Sequence, residues 1–253
     1  MTFDDLKKLK QRTHREQLGF FLIEGEHLVL ELGRALARRP ELSSARILIS
    51  HEYAERGLPE GLPSELAIDV LNARQMSQLS ETRSPQGILA VVPLLPCPPP
   101  SKGERAIYLH QIQDPGNLGT ILRTLAWFGG FRCLLSPDSV DPYNAKAVRA
   151  SMGALFHVSV EADVALAEVS KRYSRLALLD MQGRSIACDE FRDFDCYLFG
   201  SEARGVTTDM RSIVGPSAFS VPGGQGPGGV AVESLNLATT VNLCLYELMG
   251  RSN

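Results

Sequence analysis

Between residues 104 and 221, short and nearly continuous apolar runs alternate with longer segments that carry an apolar stripe. The runs cover residues 106–109, 133–135, 156–160, 176–179, 196–199 and 219–221. Helices are expected at 118–128, 144–153, 164–173 and 233–249, where apolar residues recur at helical spacing. A strand that is apolar on both faces must be covered on both faces. Helices between such strands supply that cover, so the pattern predicts an α/β domain built on a parallel sheet. Ligands on such sheets bind beyond the carboxyl ends of the strands.

Upstream, residues 93–103 hold Pro93, Pro96, Pro98, Pro99 and Pro100, five of the chain's fifteen prolines. Proline fixes φ and removes a donor, so this stretch predicts an extended linker. It separates a first domain, residues 1–92, from a second, residues 104–253. In the first, strands are expected at 20–24, 46–50, 67–71 and 88–92, with helices at 26–39 and 73–80. That is a small α/β module.

Net charge is −3 over 253 residues, which excludes a whole-protein basic footprint for nucleic acid. Any such footprint must be local. Lys7, Lys8, Lys10, Arg12 and Arg15 form one basic N-terminal face, equally readable as a solvated helix or as a phosphate contact. The five cysteines form no Cys-x-x-Cys pair and are odd in number, which argues against a disulfide framework or structural zinc and for a reducing cytoplasm. His14, His27, His51, His110 and His157 lack metal-ligand spacing, so no metal is expected. The acidic start, with Asp4 and Asp5, predicts no secretory leader. No apolar run reaches the roughly 18 residues that span a bilayer.

Three segments could carry chemistry. The first, from Asp114 to Ala126, follows a strand: Pro115 and Gly116 make a turn, Asn117 is a good N-cap, and Leu118, Ile121, Leu122 and Leu125 form the buried stripe. Arg123 lies off that stripe and suits phosphate recognition, with a solvated Arg on a capped helix as the plainer alternative. In the second, an apolar strand ends in Gly200, which could admit a ligand. Glu202 follows at the sheet's carboxyl edge, where it could accept hydrogen bonds or orient Arg123; an exposed acid in a turn is equally compatible. The third runs from Val221 through a loop with five glycines to Ser234, Leu235, Asn236 and a long apolar helix. Glycine lets backbone approach a ligand, and a helix start offers unpaired N–H groups. Singly, Ser234 and Asn236 are most simply caps. There is no Gly-Lys-Ser/Thr, Gly-x-Gly-x-x-Gly or Gly-x-Ser-x-Gly pattern, so phosphate-loop, dinucleotide and hydrolase chemistries lack support.

In this order, the three segments resemble the SpoU-type RNA 2′-O-ribose methyltransferases of the SPOUT superfamily. Asn117, Gly119, Arg123 and Ala126 are similar to the first family motif. The run from Leu198 to Gly205 is similar to the second. Val221 and Pro222, with Glu233 to Leu237 and Leu245, Tyr246 and Glu247, are similar to the third. The first domain resembles the family's RNA substrate-binding module through Glu24, Gly25 and Val29 and through Pro85, Gln86, Gly87 and Ile88. The resemblance therefore covers nearly the whole chain. One departure is that Val221 and Leu235 stand several residues further apart than the family shows, and the extra length is rich in glycine and proline.

The resemblance implies a trefoil knot in the second domain, an exception to the rule of unknotted chains. It also implies a homodimer and S-adenosylmethionine held in the knot. Leu179, Gly200, Val221 and Leu235 match positions that cradle this cofactor. Asn117, Arg123, Glu202, Ser234 and Asn236 match the reaction centre. The implied reaction is methyl transfer to a ribose 2′-hydroxyl of structured RNA in the cytoplasm, with ribosomal RNA preferred over transfer RNA and no DNA or membrane partner. Guanidinium stays protonated in proteins, so Arg123 is expected to bind phosphate and stabilise oxyanion charge rather than act as a base. The competing class is a non-catalytic RNA-binding or ribosome-assembly factor on the same scaffold, against which intact Asn117, Arg123, Glu202 and Asn236 argue.

Overall fold

A computed structural model describes residues 1–62, 65–224 and 234–249. The chain divides into two compact units, Met1–Pro96 with Asp141–His157, and Cys97–Val140 with Val158–Asn253.

The first unit begins with α1 (Phe3–Lys8) and α2 (Arg12–Leu18), followed by β1 (Phe20–Glu24), α3 (Glu26–Leu36), β2 (Arg46–Ser50) and α4 (His51–Glu55). It continues through β3 (Ala67–Leu71), α5 (Ala73–Leu79) and β4 (Ile88–Pro93). The sheet order is β1-β4-β2-β3, with β4 antiparallel to both neighbours and β2 parallel to β3. Strand β4 is central and buried on both faces. Leu89 and Val91 pack with Leu6, Leu9, Leu48, Met76 and Leu79, while Ala90 and Val92 turn to the opposite face. The N-terminal cations are already engaged. Lys7, Lys8 and Arg12 pair with Asp4, Asp5 and Glu16, and the Lys10 ammonium donates to the Ser80 carbonyl. Arg15 is 6% exposed and donates to the Asp141 carboxylate and the Leu9 carbonyl, so it is a structural cation rather than part of an open basic face.

The second unit holds β5 (Arg105–Leu109), α6 (Pro115–Phe128) and β6 (Phe131–Leu135). The chain then places α7 (Ala145–Ser151) in the first unit and returns with β7 (Val160–Glu161), α8 (Leu166–Arg172), β8 (Leu176–Ser185), β9 (Cys196–Phe199), α9 (Thr208–Val214), β10 (Ala218–Ser220) and α10 (Leu237–Met249). The six strands pair in parallel in the order β10-β8-β9-β5-β6-β7, as the alternating pattern predicts. From the adjacent strands β5 and β9 the chain departs in opposite directions, to β6 on one side and to β10 on the other. Their carboxyl ends therefore flank a topological switch point, where such sheets open a crevice.

The strand expected at 156–160 is not one. Ala154–Phe156 form a 3-10 turn after Met152 (φ +51°) and Gly153 (φ +88°), and only Val160 and Glu161 pair with β6. Leu155 and Phe156 are buried, and a short apolar run cannot distinguish a strand from a buried helical turn. The expectation for Asn117 also changes. Helix α6 starts three residues earlier, with Asp114 as N-cap and Pro115 in the first turn, where its missing N–H costs nothing. The last helix begins at Leu237 rather than 233; Glu233 and the glycine-rich residues 225–229 lie outside the described residues. No described helix is long and apolar enough to cross a membrane.

Candidate active site

The Asp114 side chain accepts the Asn117 N–H at 2.7 Å, so the Asn117 side chain is not consumed as a cap. Its amide Nδ2 instead donates to Glu202 Oε1 at 3.1 Å. The Glu202 carboxylate also accepts the backbone N–H of Gln113 at 3.1 Å and of Asp114 at 3.4 Å. On its other side, Asn117 Oδ1 accepts Asn236 Nδ2 at 3.0 Å, and Asn236 Oδ1 accepts the Thr239 N–H at 3.2 Å. Residues 85 and 119 positions apart in sequence thus form one directional chain from Glu202 through Asn117 to the start of α10. An acid-only acceptor at one end fixes which way both amides face. The chain sits at the carboxyl ends of β5 and β9, beside the switch point.

Helices α6 and α10 lie together, and a second polar rung joins them further along, from Thr124 Oγ1 to Asn242 Oδ1 at 2.6 Å. Leu118, Ile121, Leu122 and Leu125 of α6 and Ala238, Val241, Cys244, Leu245 and Leu248 of α10 are buried. Arg123 is on the exposed side of α6, and its guanidinium has no hydrogen bond or ion pair among the described residues. Arg123 lies in the third turn of α6, and an exposed guanidinium without a partner there is available to an anionic ligand. Ser234 and Leu235 are exposed and precede α10, Leu235 at 47%.

The candidate cofactor positions cluster by strand. Leu179 on β8 pairs with Phe199, the residue before Gly200, at the same sheet edge. Residues 179–183 of β8 bulge, because Ala218 pairs with Leu178 while the next residue, Phe219, pairs with Arg184. Arg211 holds the bulge through Asp180 at 2.8 Å, Ser220 Oγ donates to the Gly183 carbonyl at 2.8 Å, and a Cβ on Gly183 would lie 2.3 Å from the Phe219 nitrogen. Val221 follows β10 next to this bulge. Glycine at 200 has a reason unrelated to a ligand: a Cβ there would lie 2.2 Å from the Gly205 carbonyl oxygen. Paired hydrogen bonds between Ser201 and Gly205 close a tight turn that presents Glu202. The neighbouring ends of β8, β9 and β10, with a bulge and a turn pinned in place, fit a backbone-lined cofactor cradle in the chemistry of their donors and acceptors.

Sequence reasoning missed Gln113 and the Asp114 cap, although the Asp-Pro dipeptide before a helical stripe is a start signal that could have found the latter. His110, at the end of β5, has its pKa lowered by burial and its Nδ1 buried without a partner among the described residues. Among the described residues there is no cluster of three His, Cys, Asp or Glu side chains that could hold a metal ion.

A family model described as the SpoU rRNA Methylase family matches residues 104–246, more than half of the chain. The chain belongs to the SpoU rRNA methylase family. A second model, the MRM3-like substrate binding domain, matches residues 4–90 ahead of the SpoU domain. Over 253 aligned residues the chain is 29% identical to the 23S rRNA (guanosine(2553)-2′-O)-methyltransferase RlmP of Bacillus subtilis, covering 97% of this chain and 95% of that one. It is 28% identical to the mitochondrial rRNA methyltransferase 3 of Mus musculus, covering 91% of this chain and 62% of that one. A solved structure from Porphyromonas gingivalis, described as of the TrmH family, superposes with a TM-score of 0.79 at 27% identity over 99% of this chain and 97% of that one. The SpoU methyltransferase AviRb from Streptomyces viridochromogenes, solved with AdoMet, superposes with the same TM-score at 21% identity over 98% of this chain and 97% of that one, which establishes the shared fold.

Proposed function

We infer that this SpoU-family protein transfers a methyl group from S-adenosylmethionine to a ribose 2′-hydroxyl of RNA, with ribosomal RNA as the substrate. The observation that carries this is the hydrogen-bonded chain Glu202–Asn117–Asn236, which draws one residue from each of the three motif segments into one place. The B. subtilis relative, similar over nearly its whole length and named for a 2′-O-methylation of 23S rRNA, supports the choice of RNA. A net charge of −3 suits selective recognition of folded RNA over bulk attraction to phosphate.

S-adenosylmethionine supplies an activated methyl on a sulfonium. Its cradle would be Leu179, Gly200, Val221 and Leu235. What remains for the side chains is to bring the hydroxyl into line and to accommodate the charge that grows on its oxygen. The Arg123 guanidinium is exposed and has no partner among the described residues. Always protonated, it would bind the neighbouring phosphate and stabilise the developing oxyanion. Asn117 and Asn236, oriented by Glu202, and the exposed Ser234 would border the ribose.

A homodimer is part of the proposal. Trp127 of α6 is 84% exposed, and Tyr246 and Leu243 of α10 are 63% and 39% exposed, apolar side chains on two helices packed together that a second copy would cover. Sedimentation equilibrium should return twice the chain mass, and a monomer at micromolar concentration would overturn it. A cytoplasmic location suits a ribosomal RNA target and five cysteines without a disulfide.

Calorimetric titration of the purified protein with S-adenosylmethionine tests the proposed cofactor directly. Saturable binding is expected. Absence of binding by folded protein, with and without ribosomal RNA, would favour an RNA-binding factor on this scaffold.

A further inference from the structure

The segment between β5 and α6 carries the N–H groups that hold Glu202, yet it belongs to neither element. Its shape depends on two unusual residues. Gln111 and Asp138, in facing loops, both have left-handed backbones, φ +50° and +63°, without being glycine. Such conformations persist only where the surroundings enforce them. One side chain touches both: Gln113 Nε2 donates to the Asp138 carbonyl at 2.6 Å and to the Gln111 carbonyl at 3.3 Å. Both partners are carbonyls, so the Gln113 amide must face them with its nitrogen, whose two N–H groups can serve both. Ser136 Oγ accepts the Gln111 N–H at 2.7 Å, and the Ile112 carbonyl accepts the Val140 N–H at 2.8 Å, completing the staple. The backbone N–H of Gln113 itself then points to Glu202 Oε2 at 3.1 Å.

We propose that Gln113 is a positioning residue of the reaction centre: its side-chain amide clamps the two left-handed turns so that the 113–114 N–H groups hold Glu202, and through it Asn117, in register. The proposal rests on the assignment of Glu202 and Asn117 to the reaction centre. Gln113 itself touches no reacting atom. Without its amide, the turns relax toward ordinary backbone, Glu202 loses aligned donors and the amide chain loses its fixed direction. Cofactor and RNA binding, which depend on other groups, remain.

The test uses the full chain, S-adenosylmethionine and ribosomal RNA extracted from cells lacking the gene. Gln113→Ala and Gln113→Met, the latter similar in length but without a donor, are compared with Arg123→Ala. Each Gln113 variant is expected to lower kcat about tenfold, the equivalent of about one lost hydrogen bond, with KM for RNA and cofactor affinity within about twofold of wild type. Adding Gln111→Gly and Asp138→Gly to Gln113→Ala is expected to restore part of kcat, because glycine takes left-handed backbone without a clamp. A general packing defect would not be rescued this way. An unchanged kcat in both variants overturns the proposal. So does a raised KM for RNA at unchanged kcat, which would mark a direct RNA contact, or failure of the glycine pair to rescue. Full activity of Arg123→Ala would instead remove the site assignment itself, and the clamp with it. An inactive Arg123→Ala beside fully active Gln113 variants would remove the clamp alone.

Discussion

At the residue scale, the side chains that meet are those whose local role is taken by a neighbour. Asn117 reaches Glu202 because Asp114 caps the helix and Pro115 starts it. The sequence pattern pointed to Asn117 as cap, since Asn, like Asp, suits that position, and only the three-dimensional start of α6 decides between them. Asn117, Glu202 and Asn236 were legible as candidates from their motifs, but not the order of donors and acceptors that joins them. Gly200 is the reverse case: its conspicuous glycine is explained by the Gly205 backbone 2.2 Å from its Cβ position. Gly200→Ala is therefore expected to dislodge the 201–205 turn, costing about 1–3 kcal/mol of stability by overpacking and displacing Glu202 from its donors. A thermal melt with a methyl-transfer assay checks this. A variant with unchanged melting temperature and activity would show that the close approach is not needed.

At the element scale, long apolar strands and striped helices were legible because burial on both faces imposes a composition that turns cannot imitate. Strands β5 and β9 are wholly or nearly wholly buried, and their positions follow from the apolar runs. The 3-10 turn at 154–156 was not legible, because Leu155 and Phe156 satisfy the same burial in either geometry. Nor was the buried charge on β6. Arg132, 1% exposed within an apolar strand, is held by Glu104 at 3.0 Å and by Glu161, which also accepts from Arg172 at 2.6 Å. Burial alone would raise the Glu161 pKa; the hydrogen bonds from Arg172 and Arg132 outweigh it and keep the carboxyl below its ordinary 4.5. Its folded pKa is depressed, so its stabilisation is full above pH 4.5 and is lost as pH falls through the folded value. Glu161→Gln should lower the melting temperature at neutral pH, leaving Arg132 under-compensated, and the gap to wild type should narrow as pH falls below 4.5. A gap constant from neutral pH to below that range would contradict the assignment.

At the scale of the whole molecule, the proline run predicts a contiguous first domain over residues 1–92 and a second over 104–253. It could not be foreseen that residues 141–157, well beyond the proline run, fold with the first unit through Arg15 and Asp141 and through the Phe21 and Tyr143 rings, 4.8 Å apart. That depends on long-range pairing between single side chains, which no local pattern encodes. Residues 225–233, between β10 and α10, lie outside the described residues, and with them the stretch of chain on which the knot implied by the resemblance would be judged. The sheet order puts the segments after β5 and β9 side by side, and the hydrogen bond from Asn236 to Asn117 brings the start of α10 to the same place. The most direct measurement is a map of ribose methylation, by mass spectrometry of ribosomal RNA, in cells expressing the wild-type chain, Arg123→Ala or no protein. A 2′-O-methyl group is expected only with the wild-type chain, while Arg123→Ala still binds S-adenosylmethionine in calorimetry. Identical maps in all three, or a methyl group retained in full with Arg123→Ala, would contradict it.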